Sequence, residues 1–147
     1  MSLKDKLMQE LKFSMKNKDT IRKNTVIMVN AAIKQREVDE RVQLGDEDIL
    51  DIISKQLKEK RMAIEEFQKG NRQDLVDLTN AEMAILLEYL PQQLTEEEVE
   101  KIVRETIEET GATSIKEIGL IMKAVMPKVK GRADGNMINK SVRKILN

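Results

Sequence analysis

Basic residues crowd the last stretch of this chain. Lys123, Lys128, Lys130, Arg132, Lys140, Arg143 and Lys144 stand there against the lone acid Asp134. Lys128, Lys130 and Arg132 surround a turn marked by Pro127, Gly131 and Gly135. Ammonium and guanidinium groups beside free backbone N–H groups bind phosphate oxygens. The chemistry on offer is therefore anion binding, with Lys128, Lys130, Gly131, Arg132, Lys140 and Arg143 as candidate nucleic-acid contacts. The competing account is a solvated basic face that pairs with the acidic segment 95–110.

A second basic cluster, Lys55, Lys58, Lys60, Arg61 and Lys69, is set in a helical pattern. Lys60 lies between Leu57 and Ile64, on the apolar stripe of that pattern. Either its stem is buried and its head reaches water, or it stands at the edge of a groove where an anion docks. Lys60 and Arg61 join the candidate nucleic-acid contacts on the second reading.

The 147 residues include 0 Cys, 0 His and 0 Trp. Disulfides, iron–sulfur clusters, thiolate or imidazole metal sites and an imidazole base are excluded by composition. One Tyr and two Phe make no stacking platform for single-stranded nucleic acid. No Gly-x-Ser-x-Gly elbow occurs, and Gly131 and Gly135 lack the spacing of a phosphate loop. Glu65–Glu66 and Glu108–Glu109 are adjacent, so they face apart on a helix. Asp46, Asp48 and Asp51 do not fit a calcium loop. No catalytic residue, metal ligand or cofactor is expected.

Formal charge balances at 26 Lys and Arg against 26 Asp and Glu, which gives no global pull toward nucleic acid or membrane. Locally the balance is uneven: +6 over residues 1–36, −6 over 37–53, −5 over 95–110 and +6 over 123–147. The longest apolar run, Met83 to Leu87, is far too short to span a bilayer. The first residues alternate charge with apolar side chains, unlike a signal peptide. The expectation is a cytoplasmic protein with no membrane partner.

The elements that must position these residues read almost entirely at helical period. A first helix runs from a Ser2 cap to about Lys16, with Leu3, Leu7, Leu11 and Met15 four apart. Asp19 caps a second, followed by a polar loop from Glu37 to Gly45. A third runs from Asp46 to Gly70, and a fourth, expected to be the most buried, carries Leu75, Leu78, Ala81, Ile85 and Leu86. Pro91 breaks the pattern and sets a domain boundary, with 1–91 a four-helix domain and 92–147 a three-helix domain. Thr95–Glu98 and Ser114–Glu117 are both capping-box sequences. Pro127 marks the end of the sixth helix, and Asp134 caps the seventh. The methionines Met8, Met15, Met83 and Met122 are expected as core filler. The predicted fold class is all-α in two parts, a four-helix bundle-like domain and a small three-helix domain.

Four segments carry a resemblance to a known family: Lys55–Phe67, Arg72–Leu75, Tyr89-Leu90-Pro91-Gln92-Gln93-Leu94, and Met126 to Gly135 followed by Asn139. They resemble the YqeY family, small bacterial proteins similar to the C-terminal tail domain of the glutamyl-/aspartyl-tRNA amidotransferase. The resemblance covers nearly the whole chain. It implies an all-helical, two-part, non-catalytic module that contacts tRNA by shape and phosphate, through Lys130, Gly131, Arg132, Ala133, Asp134 and Asn139. A second implied reading is an adaptor that docks on an aminoacyl-tRNA synthetase or an amidotransferase through the acidic fifth helix and the Tyr89–Leu94 turn. A third is a protein assisting carbon–nitrogen ligase activity with glutamine as amido donor, a reading the residue inventory opposes.

Overall fold

The computed structural model describes residues 2–146. It is helical throughout, with no strand among the described residues. The chain forms two compact units, Met1–Leu90 and Pro91–Asn147, so Pro91 falls with the second.

The first unit holds four helices: α1 (Leu3–Lys16), α2 (Thr20–Glu40), α3 (Asp46–Lys69) and α4 (Gln73–Leu87). Ser2 caps α1 by accepting from the Asp5 N–H, and Asp19 caps α2 by accepting from the Arg22 N–H. Their core gathers Leu7, Val26, Val29, Ile49, Ile53, Leu57 and Leu86. Several sequence expectations change here. Met15 is 61% exposed. A four-residue spacing drifts by about 40° per step around a helix, so the stripe from Leu3 and Leu7 leaves the core before Met15. Ser14 takes the buried place instead, its hydroxyl donating to the Glu10 carbonyl. Met8 is also exposed, so neither residue fills the core. Leu78 faces solvent, although Val76, Thr79, Ile85 and Leu86 of α4 are buried.

The loop expected from Glu37 is helical as far as Glu40. Gln35 donates to Asp39 and Arg36 to Glu40, pairs spaced to favour helix. The Glu37 carboxylate also pairs with Lys4 and accepts from the Leu44 N–H, which hold its pKa below the ordinary value. Arg41, at φ 54, then turns the chain out of the helix.

The second unit holds α5 (Glu96–Thr110), a single 3-10 turn (Ile115–Glu117), α6 (Ile118–Val129) and α7 (Gly135–Leu146). Its core joins Leu94, Val99, Val103, Ile121, Val125, Val129, Ile138 and Val142. Both bonds of the Thr95–Glu98 capping box are present. The second box does not form. The Ser114 hydroxyl accepts from the Lys116 N–H, while Glu117 reaches back to the Thr113 N–H, and the result is the 3-10 turn. α6 continues through Pro127 to Val129. The missing Pro N–H orphans the Lys123 carbonyl, but both residues are exposed and water is at hand. Val125 and Val129, both fully buried, hold that last turn against the core.

Tyr89 packs into the first core with 7% exposure, and its hydroxyl has no hydrogen-bond partner there. Lys6 Nζ lies 5.5 Å from the ring centroid. Arg22 stands nearby, 2.9 Å from Glu88 and 3.5 Å from Glu10. Burial first, then the Glu10 carboxylate, pushes the phenol pKa up to about 12. An unfolded chain ionises its phenol near pH 10. The contribution of this group to stability is therefore complete below pH 10 and lost between there and about pH 12. With one Tyr and no Trp, phenolate ultraviolet absorbance reports this group alone. Its titration midpoint is expected near 12, and a midpoint near 10 would show an accessible phenol. Tyr89→Phe, which deletes an unpaired buried hydroxyl, should leave urea-denaturation stability unchanged or raise it by up to about 1 kcal/mol.

Candidate nucleic-acid interface

The basic turn of the second unit is held by the extended segment that leads into α5. The Leu94 N–H donates to the Arg132 carbonyl at 2.8 Å, and the Gln93 side-chain amide donates to the Gly131 carbonyl at 2.8 Å. Arg132 Nε returns the contact, donating to the Gln92 carbonyl at 3.2 Å. Two segments that read as separate motifs are thus one clasp. Gly131 makes it possible with φ +76, a left-handed conformation that other residues adopt at a cost. Gly135 has no such need. It opens α7, and an added Cβ there would make only ordinary contact with Met122. Asp134 caps α7 by accepting from the Met137 N–H at 2.8 Å.

Six of the eight candidate contacts lie in this unit, and their charges fare differently. Lys128 turns onto α5, 2.7 Å from Glu109 and 2.9 Å from the Thr106 hydroxyl. Lys144 likewise lies 3.3 Å from Glu100, whose pKa is held down by the hydrogen bonds of Arg104 and Lys144. These pairs follow the solvated-face account. Arg132 and Arg143 are fixed by neutral oxygens instead: the Gln92 carbonyl for one, the Asn139 side-chain oxygen at 2.7 Å for the other. Among the described residues, neither has a carboxylate at hydrogen-bond distance. Glu98 senses Arg132 through space, but the N–H and hydroxyl of Thr95 do more to lower its pKa. Lys130 and Lys140 are exposed.

Helical spacing puts Asn136, Lys140 and Arg143 on the outward face of α7, opposite the buried Ile138 and Val142. On its flank, Lys140 and Lys144 border a cleft with Glu96, Glu97 and Glu100 of α5.

Lys60 and Arg61 belong to the first unit, on α3. The Lys60 side chain is 12% exposed, and its Nζ lies 3.5 Å from Glu82 of α4, itself 16% exposed. This ammonium neither reaches freely into water nor waits for an outside anion: an internal carboxylate answers it. Arg61 is half-buried. Sequence reasoning missed the holding residues Gln92 and Gln93. Their signal was the Tyr-Leu-Pro-Gln-Gln-Leu motif, whose proline reads as a hinge. It also missed the Asn139–Arg143 pair, although the i,i+4 spacing announces it.

Fold and site together define a small, helical, two-unit protein with a clasped basic turn, and the comparisons with known proteins place it. A family model described as Yqey-like protein matches residues 4–146, and the chain belongs to that family. Three curated relatives, all named "Altered inheritance of mitochondria protein 41, mitochondrial", come from fungi. The Pyrenophora tritici-repentis protein is 30% identical over 146 residues, 96% of this chain and 79% of its own. The Lachancea thermotolerans protein is 39% identical over 87 residues, 58% of this chain and 46% of its own. The Kluyveromyces lactis protein is 38% identical over 84 residues, 56% of this chain and 45% of its own. Against the two yeast relatives, the match spans less than half of their length.

These relatives correct one expectation. The resemblance pointed to a bacterial protein, but the relatives are fungal and carry a mitochondrial name, so that assignment is not retained. The mitochondrial name is that of the fungal proteins. No helix among the described residues is long and apolar enough to cross a membrane.

The clasp makes a stability prediction. Gln93→Ala removes the side-chain hydrogen bonds to the Pro91 and Gly131 carbonyls and should destabilise the second unit by about 1–2 kcal/mol. Gly131→Ala should cost about 1–2 kcal/mol from the backbone alone, because the nearest atom to an added Cβ is Pro91 Cδ at an ordinary 3.7 Å. The two act on one carbonyl, so their effects should fall short of additive in denaturant unfolding. The ultraviolet signal of Tyr89, which lies in the first unit, should keep its midpoint in both variants.

Proposed function

We propose that this chain is a non-catalytic accessory protein that binds tRNA through the second unit, reading structured RNA by shape and phosphate. The observation that carries the proposal is that Arg132 and Arg143 are oriented by neutral oxygens rather than by carboxylates. They stand with Lys130 and Lys140 on a clasped turn and the helix it opens. A cation fixed in direction but not neutralised is suited to a phosphate. The scarcity of aromatic residues fits recognition of backbone and shape rather than of stacked bases.

The resemblance to the tail domain of the tRNA-dependent amidotransferase supports the same reading, since that domain is the tRNA-contacting part and not the catalytic one. The name of the fungal relatives ties those proteins to mitochondria, a compartment with its own translation. Lys60, paired with Glu82, is left out of the interface. Lys128, paired with Glu109, is placed in a supporting position behind the turn. The reading as an adaptor for a synthetase or amidotransferase is the alternative if RNA does not bind.

The test is a salt titration of binding to total tRNA. Wild type should bind with a steep salt dependence. Lys140→Glu with Arg143→Glu should lower the log–log slope by roughly 0.7–0.9 for each phosphate no longer neutralised. Both side chains are exposed, so thermal unfolding should not move. Asn139→Ala, which frees the Arg143 head while keeping its charge, should weaken binding by less than the reversal does. Unchanged affinity and slope in the double variant would refute the site. No binding at low salt would refute the RNA reading.

A further inference from the structure

Exposed apolar side chains are distributed unevenly. Of the large ones, Leu120 and Met126 belong to the second unit, whereas Met8, Phe13, Met15, Ile21, Ile27, Met28, Val38, Val42, Met62 and Leu78 belong to the first. Three of them line one flank of the α1–α2 hairpin. Met8 and Met15 are seven residues apart on α1, two turns and about 10 Å along the same side. They are 57% and 61% exposed. On α2, Ile27, 45% exposed, lies one turn beyond Lys23 on that helix's outward flank. Met15 and Lys23 border one cleft with Ser14, Lys18 and Thr20, which puts the two flanks on a common side. The Lys4–Glu37 pair and the Asp19 N–H to Ser14 carbonyl bond fasten the hairpin at its two ends.

Lysines edge this stripe. Lys12 and Lys18 are exposed and Lys23 is half-buried, and none of them pairs with a carboxylate among the described residues. Of the acids around the stripe, Glu10 lies 3.5 Å from Arg22. Glu37 holds Lys4 and the Leu44 N–H, and Asp19 caps α2 and lies 3.5 Å from Arg22. Asp5 stands one turn before Met8, at the N-terminal end of the stripe, and is the exposed acid the partner helix must clear.

We propose that this flank of α1 and α2 docks an acidic amphipathic helix of a partner protein. Met8 and Met15 on α1 with Ile27 on α2 make a narrow strip of flexible and branched aliphatic side chains about two turns long, which matches the apolar anchors of one helix at i, i+3 or i+4, and i+7. Methionine adapts to the shape of such a partner. Lysines on the rim complement acids on the flanks of that helix, steering encounter and setting its register. A bilayer rewards a broad apolar face, and this stripe is one helix wide. Nucleic-acid bases want flat aromatic partners, and Met and Ile offer none. The stripe and the basic turn belong to different units, and the proposal stands or falls without tRNA binding.

The experiment uses the full chain and a labelled helical peptide of about 20 residues, long enough to hold a helix, with Leu at the anchor spacing and Glu elsewhere. A control peptide carries Lys in place of Glu. Anisotropy should show micromolar binding of the acidic peptide, weakened by salt, and none of the basic one. Met15→Ser with Ile27→Ser, and separately Lys12→Glu with Lys23→Glu, should each weaken binding at least about tenfold (about 1.4 kcal/mol), with unchanged thermal unfolding. Lys140→Glu with Arg143→Glu should leave peptide binding intact. Absence of acidic-peptide binding, or binding indifferent to both hairpin variants, overturns the proposal. So does binding of phosphatidylglycerol vesicles or of tRNA that is lost in the same hairpin variants while the peptide fails to bind.

Discussion

Three hydrogen bonds between Gln92-Gln93-Leu94 and Gly131-Arg132 give the second unit its form. Each is worth about 1 kcal/mol net, little beside the apolar burial around them. Their importance is directional. They turn two successive carbonyls toward the incoming segment, which requires the left-handed backbone at Gly131. That sets where α6 stops and where α7 starts. Val129 on one side and Ile138 on the other are fully buried, so the turn cannot shift without opening the core. The clasp also decides the state of Arg132. Bonded to a carbonyl, its guanidinium is aimed without a carboxylate at hydrogen-bond distance among the described residues.

The same distinction sorts the rest of the charge. Blocks of opposite sign along the chain meet in space, and many cations are answered by acids from another helix: Lys4 by Glu37, Lys60 by Glu82, Lys128 by Glu109 and Lys144 by Glu100. Apart from the largely buried Lys60–Glu82, such exposed pairs stabilise little. Their consequence is to narrow the set of cations open to an outside anion. Block arithmetic overstates an interface for this reason: a sum over residues cannot see which side chains have already found partners.

Local signals were legible in the sequence, and long-range ones were not. Ser2, Asp19, Thr95–Glu98 and Asp134 act as the caps their types announce, because a cap is decided within one turn. α3 spans the residues that its periodicity and its acidic first turn mark out. The failures share a cause. Spacing alone places Met15 and Leu78 inside, but a narrow core takes only part of an apolar stripe. Pro127 reads as a stop, yet buried Val125 and Val129 carry the helix past it. Ser114 matches a capping box, but the chain enters a 3-10 turn and its hydroxyl meets a different N–H. At the site, residue types point to anion chemistry, whereas the partners of Lys128 and Arg132 come from segments 19 and 40 residues away and leave no local trace.

The two units divide their exposed chemistry. Large apolar side chains at the surface cluster in the first, and among them the second contributes only Leu120 and Met126. A surface with exposed Met and Ile among lysines gains from excluding water against another protein. A surface with oriented cations and few large exposed apolar side chains gains less from such a partner, but it releases counterions on meeting a polyanion. On the two proposals, the oriented cations of the second unit would meet the polyanion and the apolar surface of the first would meet the protein.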